Sequence, residues 1–244
     1  MFQLFLEILA KGTIKDKSTQ HLVMDAILTS TRSEEHVKLA MNWFDTGFMH
    51  DISGNKLENL EVSLKHKHTI VQRIWSSLTQ TLETKEAYMQ KLEKIDNSDW
   101  LKNTKKVCVA AHPENKQKMW ALYFTKDKEA EIEKWGLYDF QNSFRGWNQV
   151  GHRQFTADLQ AEFFDKIGDI VASKGRYVAE SYFYILRPMN DCDDATVAKY
   201  RQLLEKVQKE DPDNTMFIKM LKGTLTDLDV MKRGREASLK FMNA

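Results

Sequence analysis

Apolar residues recur along most of this chain at spacings of three and four, the period of one face of an α-helix. The longest such stripe has intervals of four, four, four and three, and it consists of Phe155, Leu159, Phe163, Ile167 and Ile170. Comparable stripes occupy residues 22–27, 37–44, 70–78, 88–95, 100–111, 119–123, 197–207 and 217–228. No segment alternates apolar and polar residues for long enough to predict a strand. The pattern therefore predicts an all-α protein.

Short polar joints separate these stripes, and the prolines fall in the joints. Pro212 follows Asp211, and this pair predicts the start of a helix with Asp211 as its cap. The longest interruption is DTGFMHDISGNKLEN at residues 45–59. It predicts a loop between two helical hairpins.

Helices of this length with short joints pack as antiparallel hairpins. So many hairpins do not fit around one bundle core, whereas stacking them side by side buries both faces of the inner helices. We therefore predict an irregular α-solenoid, in which HEAT/armadillo-like helical hairpins are stacked into a curved array without a repeat of fixed period. Residues 1–244 are predicted to form a single helical domain.

Composition narrows the choice of partners and compartment. The 36 Lys and Arg residues balance 35 Asp and Glu residues, and the resulting net charge of +1 predicts no nucleic-acid partner. The longest apolar run is too short for a membrane span. Cys108 and Cys192 form no Cys-x-x-Cys pair and are predicted to be reduced core residues. The first residues lack the features of a signal peptide, which predicts a cytoplasmic protein.

The chain lacks the common motifs of bond-breaking chemistry. A zinc peptidase helix needs His-Glu-x-x-His, which does not occur. His66 and His68 are two residues apart, so on a helix they point in nearly opposite directions, and they are predicted to lie on a solvated basic face. The acidic run NDCDDAT lacks the glycine and glutamate of an EF-hand and predicts a helix start capped by Asp193 or Asp194. We therefore predict no catalytic residue, no metal ligand and no cofactor in this chain.

One stretch, SFRGWNQVGHRQF at residues 143–155, departs from the helical pattern. In one interpretation it is a turn between helices. Gly146 and Gly151 then provide the turn geometry, and Trp147 packs under the next helix. Asn148 and Gln149 cap the helix that begins near Gln154 or its neighbour. In the other interpretation its polar side chains contact a peptide or a protein partner, and these are Arg145, Asn148, Gln149 and His152. Arg145 is the strongest of them because its planar guanidinium can hold a carboxylate through two hydrogen bonds.

The order of the helical segments resembles a known family. TQHLVMDAI, EEHVKLAMNWFDTG, HTIVQRIW and EAYMQKLEKIDNSDW are followed by KKVCVAAHPENKQKMWALYF, SFRGWNQVGHRQFTADLQAEFFDKI and LRPMNDCDDATVAKYRQLLEK. This succession, over residues 19–235, is similar to the C-terminal helical domain of aminopeptidase N-type and puromycin-sensitive-type zinc metallopeptidases. Three pieces carry most of the resemblance: Ala111-His112-Pro113-Glu114 with Lys116 or Lys118 and Met119-Trp120; Gly146-Trp147-Asn148-Gln149; and Arg187-Pro188 with Asp193 and Asp194.

The resemblance implies a HEAT-like bowl that packs over a thermolysin-like catalytic domain and limits which peptides reach its zinc. The catalytic motifs of the family belong to that other domain, so the chain is expected to be inactive alone and to bind no zinc itself. Its expected role is substrate gating and cavity formation, with the catalytic domain, in cis or in trans, and peptide substrate as partners. Two alternatives remain: a stand-alone non-catalytic scaffold or subunit derived from that domain, and an unrelated HEAT-like adaptor.

Overall fold

The computed structural model describes residues 2–124, 137–149, 151–189 and 193–242. In these ranges the chain forms 12 α-helices and one short β-hairpin, which confirms the all-α prediction. The helices are α1 (Phe2–Ala10), α2 (Lys17–Thr29), α3 (Glu34–Thr46), α4 (Leu64–Ser76), α5 (Leu82–Glu93), α6 (Asp99–Ala111), α7 (Lys116–Phe124), α8 (Leu137–Trp147), α9 (Arg153–Ser173), α10 (Arg176–Leu186), α11 (Asp194–Glu210) and α12 (Thr215–Met242). A 3₁₀ turn, Pro113–Asn115, joins α6 to α7.

Side-chain caps explain where many of these helices begin, because the first backbone N–H groups of a helix have no partner within it. The carboxylate of Asp193 accepts a hydrogen bond from the backbone N–H of Thr196 at 2.7 Å, so Asp193 is the predicted cap of α11. Equivalent caps on α2 to α6 are Asp16, Ser33, Ser63, Thr81 and Ser98.

The predicted helix start at Pro212 is wrong. Helix α12 begins at Thr215, and the side chain of Asn214 accepts a hydrogen bond from the backbone N–H of Phe217 at 3.2 Å. Asp211 instead ends α11 and accepts a hydrogen bond from the Asn214 side chain. Asn214 therefore caps α12, because its side chain lies three residues before the backbone N–H group that it binds.

The segment at residues 45–59 was predicted to be a loop, but it contains most of an antiparallel hairpin. Strands β1 (Phe48–His50) and β2 (Lys56–Glu61) pair in this hairpin, and Asp51 closes the turn by accepting a hydrogen bond from the backbone N–H of Asn55. Met49 and Leu60 are buried in the core. A strand of three residues is too short for alternation to be visible in the sequence.

The described chain divides into two compact units. The first comprises Met1–Lys116 and Tyr138–Gln149. In it, α4 packs against α2, α3, α5 and α6, so it is buried on more than one side. Its residues Ile70, Val71 and Ile74 are fully buried.

The second unit comprises Gln117–Leu137 and Val150–Ala244. Consecutive helices pack as hairpins, α9 with α10 and α11 with α12, and α9 also contacts α11. Its centre is aromatic: Phe163 lies 5.8 Å from Phe183 and 6.5 Å from Tyr200, measured between ring centroids. The assignment of residues 1–244 to a single domain stays a prediction.

No helix in the described ranges is long and apolar enough to cross a membrane. Cys108 is a free, fully buried cysteine, and burial raises the pKa of its thiol, as expected for an unreactive core residue. Cys192 lies outside the described residues.

Candidate functional site

The stretch at residues 143–155 contains the end of α8, a turn and the start of α9. Gly151 has a φ of +90°, a backbone conformation that side chains disfavour, so the predicted turn role of this glycine is confirmed. Trp147 is fully buried at the end of α8 in the first unit. The stretch therefore combines a helix end and a turn with a core aromatic residue.

Gly146 has a different role from the one that the sequence predicts. It is helical rather than part of a turn, and it lies against α6 in the first unit. A Cβ at this position would overlap the carbonyl oxygen of Val107 and lie 2.8 Å from the backbone nitrogen of Ala111. Glycine is therefore needed because α6 and α8 approach too closely for any side chain.

Lys116 is buried where α6 and α8 end. Its ammonium group donates hydrogen bonds to three backbone carbonyl oxygens, those of Ala110 at 2.6 Å, Gly146 at 3.0 Å and Trp147 at 2.7 Å. The last carbonyls of a helix lack intrahelical partners, and the negative end of the helix dipole favours a cation there. Lys116 thus satisfies both helix ends at once, whereas Lys118 is exposed.

The protonation state of Lys116 follows from its three acceptors. Burial lowers the pKa of Lys116 to about 7. The ammonium form has three N–H donors and the neutral amine has only two, so deprotonation removes one of the three hydrogen bonds. The three carbonyls therefore favour the charged form, and we assign an ammonium to this site.

Gln149 joins the end of α8 to Arg73 on α4. Its amide nitrogen donates to the carbonyl of Arg145 at 3.1 Å, and its amide oxygen accepts from Nη1 of Arg73 at 3.2 Å. The predicted cap is thus real, but Gln149 closes the C-terminus of α8 and not the N-terminus of a helix. Burial, and next the charge of Arg32, lower the pKa of Arg73 to about 10.

The four residues predicted to contact a peptide or partner differ in their exposure. Arg145 and Asn148 are exposed and Gln149 is half-buried, all in the first unit. His152 belongs to the second unit and is 1% exposed, with its ring edge-on to Phe155. The sequence did not predict this burial, which withdraws the His152 ring from the surface. Contact with a peptide or partner stays a prediction.

The prediction that His66 and His68 lie on a solvated face is wrong, because both side chains are 1% exposed. They do point in different directions. His66 faces α2, with Nε2 3.5 Å from the Asp25 carboxylate, while His68 contacts Thr104 and Asp96. The physical reason is the central position of α4, which has helices packed on both sides. Burial is the largest effect on both groups and lowers the pKa of each imidazole.

His68 is part of a hydroxyl–imidazole–carboxylate chain. Nδ1 lies 2.8 Å from the Thr104 hydroxyl, Nε2 lies 2.9 Å from the Asp96 carboxylate, and the ring stacks on Trp100. Hydrolases use this order of groups to activate a nucleophile. Here Thr104 is buried, so no substrate reaches its hydroxyl, and the chain of hydrogen bonds joins α4 to α6.

Two of the three pieces that carry the aminopeptidase resemblance meet at Lys116. The third, at Arg187, is an ion pair: the guanidinium donates to the Thr224 hydroxyl at 2.7 Å and to the Asp227 carboxylate at 3.1 Å. Within the described ranges, no group of three or more His, Cys, Asp or Glu side chains is arranged to hold a metal ion. No protein-family model matches this chain, and no curated protein matches it.

Proposed function

We propose that this chain is the C-terminal substrate-gating and cavity-forming domain of an aminopeptidase N-type zinc metallopeptidase. It performs no chemistry itself: zinc and the His-Glu-x-x-His helix belong to a separate catalytic domain, joined in cis or in trans. Its helical hairpins cover that domain and limit which peptides reach the zinc. The assembled enzyme acts in the cytoplasm.

The contact between Lys116 and the end of α8 is the observation that supports this proposal. Lys116 lies in one piece of the resemblance, and its acceptors Gly146 and Trp147 lie in another. The two pieces depend on each other, because the buried ammonium needs the carbonyls of α8 and the close approach of α8 needs a glycine. Two pieces of the resemblance that contact each other support the proposal better than two pieces that lie apart.

Arg145 is the residue we propose for peptide contact. Its side chain is exposed near the end of α8. Its backbone carbonyl accepts a hydrogen bond from the side chain of Gln149. A planar guanidinium on a fixed helix end is suited to bind the carboxylate of a peptide through two hydrogen bonds. Asn148, also exposed, lies beside it in the sequence.

The gating role is tested with the full reading frame that contains this chain. The proposal expects an in-frame His-Glu-x-x-His segment, or a partner protein that contains one. Deleting residues 1–244 from the assembled enzyme should then leave cleavage of a small aminoacyl chromogenic substrate largely intact while the discrimination between short and long peptides is lost. Unchanged discrimination after the deletion would refute the gating role.

The peptide contact is tested by Arg145→Ala in the assembled enzyme. We expect the KM for peptides with a free C-terminal carboxylate to rise roughly tenfold, the loss of a charged hydrogen-bonded pair, and the KM for C-terminally amidated peptides to stay unchanged. Arg176→Ala is the matched control, because Arg176 is exposed and, within the described part of the chain, forms its ion pair with Glu180 on its own helix. An unchanged KM for carboxylate-terminated peptides in Arg145→Ala would exclude carboxylate binding by Arg145.

The stand-alone scaffold is the alternative outcome of the same experiments. If the chain is a stand-alone scaffold, its reading frame should contain no peptidase motif, and no peptidase should co-purify with the full chain. Robust, chelator-sensitive aminopeptidase activity of the purified chain would refute both proposals, since both place the chemistry elsewhere.

A further inference from the structure

Arg73 is a largely buried cation that lacks a carboxylate partner among the residues the structure describes. Among the described residues, its side chain forms one hydrogen bond, from Nη1 to the neutral amide oxygen of Gln149, and its Nε lies buried without an acceptor. By contrast, Arg187 in the second unit, whose Nε is also unpaired, is neutralised by Asp227. Partial desolvation of a charge without a counter-ion is unfavourable, so an anion bound to Arg73 would stabilise the folded chain.

A second positive charge makes this imbalance larger. Arg32, in the joint between α2 and α3, is electrostatically coupled to Arg73, and its own Nη1 donates to the backbone carbonyl of Thr31 at 2.7 Å. Both residues belong to the first unit, and the hydrogen bonds of both guanidinium groups within the described residues go to neutral oxygens. Like charges repel, and folding alone gives no reason to bring them together.

The geometry points to an oxyanion site on Arg73 and Arg32, adjacent to Gln149, that takes a phosphate group. Guanidinium groups bind phosphate through pairs of N–H donors, and the charge of about −1.5 to −2 on a phosphate at pH 7 matches two arginines better than a single carboxylate does. Arg73 keeps partial exposure and Arg32 is exposed, so a small anion can reach both from solvent. The ligand is free phosphate or a small phosphomonoester. This site does not depend on the proposed aminopeptidase role.

Inorganic phosphate is the probe for the purified full chain. We expect a saturable one-to-one isotherm by titration calorimetry and a Tm that rises with phosphate concentration, relative to sodium chloride of equal ionic strength. Sodium acetate at the same ionic strength should raise the Tm much less than phosphate does, because the acetate ion carries a single negative charge. Phenyl phosphate should bind as phosphate does if a monoester is the natural ligand, and more weakly if the site takes the free ion.

Gln149→Glu is the decisive variant, because it places a carboxylate beside Arg73 with almost no change in shape. The new charge neutralises Arg73 internally, so we expect a higher Tm without phosphate and a loss of phosphate binding by tenfold or more. Gln90→Glu, on the exposed surface of α5, makes the same charge change and should leave phosphate binding unaltered. Arg73→Lys, which keeps the charge but loses the fork, should weaken binding.

Three results would overturn this inference. The first is equal stabilisation of the full chain by phosphate and chloride. The second is acetate binding as strong as phosphate binding, which would exclude a site matched to a doubly charged anion. The third is full phosphate binding by the Gln149→Glu variant. None of these depends on whether Arg73→Lys folds.

Discussion

Gly146→Ala is the sharpest test of how the first unit is packed. The added methyl group would overlap the carbonyl oxygen of Val107 and lie 3.0 Å from the Cβ of Ala110. The Val107 oxygen is part of the backbone of α6, so no side-chain rotation relieves the overlap. Helix α8 must move away from α6, and this movement also lengthens the hydrogen bonds from Lys116 to the Gly146 and Trp147 carbonyls.

The magnitude follows from opposing effects. Alanine is favoured over glycine within a helix by about 1 kcal/mol. Overpacking a rigid site costs about 1–3 kcal/mol, and weakening hydrogen bonds to a charged donor adds about 1.5–3 kcal/mol. We therefore expect Gly146→Ala to lower the free energy of unfolding by about 1.5–5 kcal/mol.

Urea unfolding, followed by far-UV circular dichroism and tryptophan fluorescence, measures this change. The transitions of the two units are fitted separately, because a chain with two units need not unfold in one step. Gly168→Ala is the control: it lies within α9 with nothing within 4 Å of the added Cβ, so it should stabilise the protein by about 0.5–1 kcal/mol. If Gly146→Ala is as stable as the wild type, the close approach of α6 and α8 is not required.

Three further predictions concern single side chains. Lys116→Met removes the donor of three hydrogen bonds to buried carbonyls and should destabilise the first unit by about 3 kcal/mol or more, while Lys118→Met should change stability by less than about 0.5 kcal/mol in the same urea assay. Burial lowers the pKa of His68 below its unfolded value near 6.5, so the unfolded chain takes up the proton first; stability should be full above that pH and fall as the pH drops below it, and His68→Gln should make the decline between about pH 7 and pH 5 shallower. Asp193→Ala should cost about 1 kcal/mol by removing the cap of α11, and Asp194→Ala should cost less, in thermal unfolding followed by circular dichroism.

Each of these predictions has a clear contrary result. Equal stability of Lys116→Met and Lys118→Met would show that the buried ammonium is not needed at the helix ends. A pH profile of stability that is identical in wild type and His68→Gln would remove His68 from the acid response. A larger loss of stability for Asp194→Ala than for Asp193→Ala would show that Asp193 is not the cap of α11.

Much of the fold follows from short-range information in the sequence. The helical period appears wherever a segment buries one face, as in the stripe that contains Phe163 and Ile167, both fully buried. The cap at Asp193 was predictable because it involves a residue only three positions away. The hairpin around Met49 was missed because β1 has only three residues and β2 buries Leu57 and Leu60, which are three positions apart and therefore do not alternate.

The candidate site was only partly predictable. Residues 145–149 were singled out by their unusual composition, and the structure places Arg145 and Asn148 at the surface. The contact of Gln149 with Arg73 was not predictable, because Arg73 is 76 residues away in the chain. The carbonyls of Gly146 and Trp147 are likewise about 30 residues from Lys116, and no local pattern distinguishes this lysine from Lys118.

The sequence by itself determined the helical class, most helix positions and the lack of a His-Glu-x-x-His motif. Helical periodicity and helix capping depend on residues one or two turns apart, so both can be predicted from the amino-acid sequence alone. Only the tertiary structure decided that His66 and His68 are buried, that Gly146 serves close packing, and that Lys116 closes two helix ends. Burial and desolvation are set by the elements that pack against a residue from elsewhere in the chain, and a linear sequence does not contain that neighbourhood.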